Sequence, residues 1–221
     1  MDYHANDWLG RWQNFESYLT GADPVLMKAW QEAEEAVASM KMPMFRDGAK
    51  TFWQKACVTS SPENPCTLGG WNITPAEAEK LCIEWLDADG NPLGKAVYHV
   101  ETILQKGLEG KENLLFVAEA VPENWPFRCL LAMEPMPPRT ARQNGGLLSH
   151  LHFQYASNSN KLFDPENGKL HNPMWYATMC DGDGTRLEQC NIVRALHHLP
   201  VWDELPELCS TGSKIIQSTN C

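Results

Sequence analysis

The sequence predicts a mainly β protein: an antiparallel β-barrel preceded by an N-terminal helical segment and followed by a loop-rich C-terminal tail. Three observations predict it. From Ile83 onward, short apolar runs alternate with turn signals, the texture of sequential hairpins. Before that, Leu26, Trp30, Ala33 and Val37 recur at helical spacing. After Ser157 the chain is turn-rich through Asn172.

Taken in order, residues 6–40 read as a helical entry and not a strand. Asn6 or Asp7 can cap its opening turn, and Asp23-Pro24 marks a turn before the stronger periodicity. Trp8, Trp12 and Leu19 recur near helical spacing and are expected to close one end of the barrel. Pro43 ends this segment, and Pro62, Pro65, Gly69 and Gly70 make the stretch to about residue 70 an irregular connection, with a short helical turn expected at 75–81. Strands are expected at 82–87, 95–105, 113–120, 127–134 and 147–156. Asp89-Gly90-Asn91 supplies the first hairpin, and Lys106-Gly107 through Gly110 ends the second strand. The apolar stretch from Ile192 to Leu199 fits more than one element type. One domain spanning 1–221 is expected, divided into a helical cap (1–45), the main barrel strands (82–156) and the tail (157–221).

Composition narrows the partners. A net charge of −10 without clustered Lys and Arg argues against nucleic acid, and no apolar run approaches the roughly 18 residues of a membrane span. A metal ion or a small molecule suits this charge better. The opening MDYHANDWLGRW lacks a basic region followed by an apolar one, so with Met1 as the native start the protein is expected in the cytoplasm. Removal of a signal peptide would instead place it in the periplasm or outside the cell. Eight cysteines without a CxxC pair are read as mostly free thiols, with Cys57/Cys66 and Cys180/Cys190 as the pairs to close in an oxidising compartment.

The chemistry centres on Ser149-His-Leu-His-Phe153. Alternation along a strand puts His150 and His152 on one face, where two imidazoles can meet one cation. Both are expected to face a cavity and not the packed outer layer. The competing reading is two strand histidines hydrogen-bonded in a polar cavity. His99 and Glu101 share a strand face and could offer a fourth ligand or an acid/base pair, with core or rim packing as the preferred reading. Asp87-Ala-Asp-Gly90 and Asp181-Gly-Asp-Gly184 are turns without the EF-hand spacing. His197 and His198 are adjacent and do not easily share a site, and His171 lies in a loop.

The opening Asp7-Trp-Leu-Gly-Arg-Trp-Gln13, with Leu19, Gly21 and Asp23-Pro-Val25, resembles the start of the ZinT/YodA family of zinc-recruitment proteins. Thr102-Ile-Leu-Gln-Lys-Gly107, Leu114-Leu-Phe-Val117 and Ser149-His-Leu-His-Phe153 resemble that family's paired strands and metal-binding strand. The resemblance implies a lipocalin-like (calycin) barrel holding a divalent metal, zinc first, with iron(II) or another transition metal also compatible. It also implies a third ligand just before Pro-Pro-Arg139, where this chain has Glu134, giving two His and one Glu with an open coordination position. The chain departs from the family in having only His4 in place of a His-rich N-terminal segment. Two further readings follow: a metalloenzyme using the open site on a small molecule in the barrel, and a barrel that binds an apolar ligand without metal.

Overall fold

The structure is a computed structural model that describes residues 3–40, 42–141 and 147–207. Eight antiparallel strands close on themselves in sequence order: β1 (Gly10–Asn14), β2 (Leu68–Pro75), β3 (Leu81–Asp87), β4 (Pro92–Leu104), β5 (Asn113–Ala118), β6 (Cys129–Ala132), β7 (His150–Ala156) and β8 (Ala177–Asp181). The expected mainly β, lipocalin-like barrel is therefore present, and β3 to β7 fall where turn signals and alternation put them. Four helices accompany it: α1 (Glu16–Thr20), α2 (Pro24–Met40), α3 (Ala49–Ala56) and α4 (Arg186–Leu196). None of the described helices is long and apolar enough to cross a membrane.

The strands that complete the ring are those the sequence hides. Residues 10–14 are not helical: they form β1, which pairs with β2 on one side and β8 on the other. Trp8 and Trp12, four apart, imitate a helical face, yet Trp12 and Asn14 are buried through period-2 alternation. The stretch read as an irregular connection contains α3 and the glycine-rich β2. The helical turn expected at 75–81 is a hairpin link in which Pro75 pairs with Leu81, and Ala78 and Glu79 have φ of 55° and 60°. The tail contributes β8 and α4, so barrel strands run from residue 10 to residue 181 and not only over 82–156. The six described cysteines, Cys57, Cys66, Cys82, Cys129, Cys180 and Cys190, are free, so neither candidate pair is closed; Cys209 and Cys221 lie outside the described residues.

Side-chain alternation fills the ring with large apolar groups. Trp12, Trp71, Ile73, Ile83, Trp85, Phe116, Leu130, Phe153, Tyr155 and Met179 form one buried cluster, so the interior is a packed core. Closing it requires close backbone approach. A Cβ on Gly70 would lie 2.1 Å from the Trp12 carbonyl oxygen. Gly10, at φ 110°, leaves room for the Arg139 guanidinium 2.8 Å from where its Cβ would stand. That guanidinium lies 5.1 Å from the Trp12 ring centroid, donates to the Arg11 carbonyl at 2.8 Å and pairs with the buried Asp181 at 3.1 Å.

The helices cover the outer surface of the closure. Asp23 caps α2 through Oδ1, which accepts from the Val25 and Leu26 amides at 3.1 and 2.9 Å, with Pro24 opening the first turn. Leu26, Ala29, Trp30, Ala33 and Val37 then form one apolar stripe against Cys190, Ile192 and Val193 of α4 and Trp53 of α3. Thr185 and Glu188 form a capping box at the start of α4. At its end His197 is fully buried: one ring nitrogen lies 2.6 Å from the Val193 carbonyl oxygen and the other accepts from Trp53 Nε1 at 3.0 Å. These partners fix a neutral ring protonated at Nδ1.

Trp12→Ala is expected to cost about 3–5 kcal/mol, the range for emptying a buried tryptophan site. Chemical denaturation at neutral pH measures it, and an unchanged midpoint would show that this ring does not hold the barrel end together. A second expectation concerns acid. Burial holds His197 below its ordinary value of 6.5, so the unfolded chain takes up the proton first. The stability present above pH 6.5 is therefore lost as pH falls, by up to about 1.4 kcal/mol per pH unit for this group. Denaturation midpoints at pH 7 and pH 5 should converge in His197→Gln relative to the parent.

Candidate metal site

Because Leu151, Phe153 and Tyr155 point into the barrel core, His150 and His152 point out of it. This corrects the expected placement facing a cavity. The imidazoles lie on the outer face of β7, only 8% and 3% exposed, beneath the layer that packs on the wall. In register, His150 stands opposite Cys180 and His152 opposite Thr178 on β8. The two rings are 5.7 Å apart between centroids. Trp53 of α3 stacks over His152 at 6.5 Å with 13° between planes, and Tyr176 meets it edge-on at 5.6 Å.

The hydrogen bonds around His152 favour one tautomer. The Thr178 hydroxyl donates to the Tyr176 carbonyl at 2.7 Å, so its oxygen accepts from His152 Nδ1 at 2.8 Å. The Nε2 lone pair is then free, and it faces a carboxylate: Glu109 Oε1 is 3.5 Å away. Burial pushes the His152 imidazole down to about 3, with His150 and Lys111 adding to the effect, so the ring is neutral at neutral pH. Burial also lowers His150, partly offset by the Leu148 and Met136 carbonyls and the Glu109 carboxylate. His150 Nδ1 is buried without a hydrogen-bond partner.

Glu109 is the residue that the sequence reading missed. It sits in the short turn Leu108–Gly110 after β4, with φ 55° and ψ 17°, a left-handed conformation that costs a non-glycine residue about 1–2 kcal/mol. Lys111 Nζ holds its other oxygen at 2.7 Å. In the sequence this turn is marked only by its glycines, and nothing connects it with a strand about forty residues later. Glu134, the expected third ligand, is placed elsewhere. Met133 donates its amide to the His152 carbonyl and Met136 bridges to His150, so three steps of one chain oppose two of β7. Glu134 emerges from this irregularity into an outer groove with Gln105, Lys111 and Glu112. Burial raises its carboxyl, and its charged neighbours include Asp7, Glu112 and His4.

The remaining candidates have other partners. His99 has both ring nitrogens within hydrogen-bond distance of carboxylates, Glu119 at 3.0 Å and Glu101 at 3.1 Å, on a strand face apart from the two imidazoles of β7. His171 is exposed with Nε2 3.0 Å from the Asn160 carbonyl oxygen. Asp87 and Asp181 accept backbone amides within their own turns, as turn residues do.

As they stand, no three His, Cys, Asp or Glu side chains among the described residues are gathered tightly enough to hold a metal ion. The donor chemistry nevertheless fits one. Two ligand atoms on a tetrahedral zinc, each about 2.0–2.1 Å from it, are about 3.3–3.4 Å apart, close to the 3.5 Å between His152 Nε2 and Glu109 Oε1. Two imidazoles on the same ion would have centroids roughly 5 Å apart, against 5.7 Å here.

Comparison with known proteins places the chain in no family: no family model matches it, and no curated protein and no solved structure matches it significantly.

Proposed function

We propose that this lipocalin-like protein binds a divalent metal ion, zinc first, through His150 and His152, with the Glu109 carboxylate as third ligand in place of Glu134. The observation that carries the reading is the buried His152 Nε2 facing a carboxylate oxygen at 3.5 Å, with Nδ1 engaged by Thr178. The imidazole is buried and the Glu109 carboxylate is exposed and held by Lys111 on its other oxygen, so the facing lone pairs are a donor pair that a cation between them would satisfy. The low proton affinity of His152 leaves a metal ion as the cation suited to pH 7. Neutral imidazole and carboxylate are ligands for zinc, and also for iron(II). When bound, the ion would supply a Lewis acid and a fixed positive charge. Thr178 orients one imidazole, and Lys111 steadies the carboxylate.

The enclosure of the imidazoles beneath Trp53 and Tyr176, outside a filled barrel, supports retention of an ion over turnover of an organic substrate. Metal handling or buffering is therefore the reading preferred over catalysis.

Loss of either imidazole should weaken zinc binding by more than about 100-fold, beyond the 10–100-fold that outer hydrogen-bonding partners typically cost. Glu109→Gln should weaken it by about tenfold, since the amide oxygen can coordinate but lacks the charge. Glu134→Gln should leave it unchanged. Isothermal titration and elemental analysis of untagged protein measure these effects. Equal zinc content in the parent and in the His150→Ala/His152→Ala variant would sink the proposal, whereas loss in Glu134→Gln but not in Glu109→Gln would reverse the choice of carboxylate.

A further inference from the structure

We infer that the groove between α3, the 43–47 turn and segments 58–62 and 172–175 binds a small amphipathic monocarboxylate, its acid group at Arg46 and Lys55 and its apolar body over Phe52, Met44 and Met174. The groove has a volume of about 580 Å³, within the roughly 300–1,000 Å³ range of small-molecule sites. Met44 and Met174, 47% and 53% exposed, come from segments 130 residues apart and meet on its walls. Large exposed apolar side chains converging in one concavity mark a binding surface more often than scattered ones do. Methionine adapts its shape to an acyl or aryl body.

The walls are preformed. Trp175 is pinned by a hydrogen bond from Nε1 to the Val58 carbonyl at 2.6 Å. Phe52 is fixed by edge contacts with Phe45 at 5.1 Å and Trp53 at 5.0 Å. A ligand entering such a site orders little of the protein, which favours affinity.

Charge selects the ligand class. The rim carries two cations and one carboxylate: Arg46 and Lys55 both approach Asp47, at 3.7 and 3.9 Å. These are the long, exposed pairs that contribute little and leave most of the guanidinium and ammonium donors for another partner. Two positive charges against one negative leave a single uncompensated charge, in a chain whose net charge is −10. That balance matches one carboxylate; a phosphate dianion would overcompensate it, and a neutral alcohol would leave it unmet. Neither His150 nor His152 lines the groove, so the inference stands apart from the metal reading.

Titration calorimetry of the full chain with decanoate, in EDTA to remove metal, tests it. Saturable binding of one decanoate per chain is expected, with decanol weaker. Arg46→Glu/Lys55→Glu, on the exposed rim, should weaken decanoate by at least about tenfold, a loss of about 1.4 kcal/mol, and leave decanol unchanged. Met174→Asp should weaken both, with circular dichroism confirming that each variant is folded. No saturable binding of decanoate, decanol binding as tightly as decanoate, or either variant binding decanoate like the parent would overturn the proposal.

Discussion

The closure of the barrel through β1 is the constraint on which the other features depend. Trp12 stands opposite Trp71 of β2 and Asp181 of β8, so one five-residue strand supplies both final seams. Closure leaves no unpaired edge and fixes which face of every strand is interior. On β7 that choice puts Leu151, Phe153 and Tyr155 inside and therefore both histidines outside. A slip of one residue would exchange the two sets and place imidazoles in a core made of tryptophan and phenylalanine.

Placing two imidazoles on the outer wall makes their burial the work of the helices and turns. Trp53 and Tyr176 remove water from His152, and with it most of its affinity for a proton. Thr178 accepts a hydrogen bond from Nδ1–H and so turns Nε2 toward Glu109. In this tautomer a buried acceptor faces a carboxylate that is itself exposed and held by Lys111. The left-handed backbone of Glu109 has a cost of its own. The left-handed Glu109 and the unpartnered Nδ1 of His150 are the physical basis for reading this place as a candidate site.

The middle of the fold was legible because β3 to β7 combine alternation with clear turn residues. Asp87 to Asn91 is a hairpin by composition alone. β1, β2 and β8 were not legible in the same way. β1 is five residues long, and its tryptophan lies four positions from another, which satisfies a helical pattern as well as a strand. β2 contains two adjacent glycines that read as a loop. They are present because Trp12 and Asp87 carbonyls approach so closely that any side chain would collide. α3 was masked by the prolines and glycines that follow it.

By itself the sequence determined the antiparallel meander, the shared face of His150 and His152 and the donor chemistry of that pair, since each follows from strand periodicity over a few neighbouring residues. It did not determine which side of the barrel that face occupies, because inside and outside acquire meaning only when β1 meets β8. Nor did it determine the carboxylate. Glu134 and Glu109 are equally acidic on paper, and the choice between them rests on an irregularity before Met136 and on a turn after β4 that only packing brings to β7. Long-range contacts of this kind leave no local periodicity to read, so which carboxylate faces His152 belongs to the tertiary structure alone.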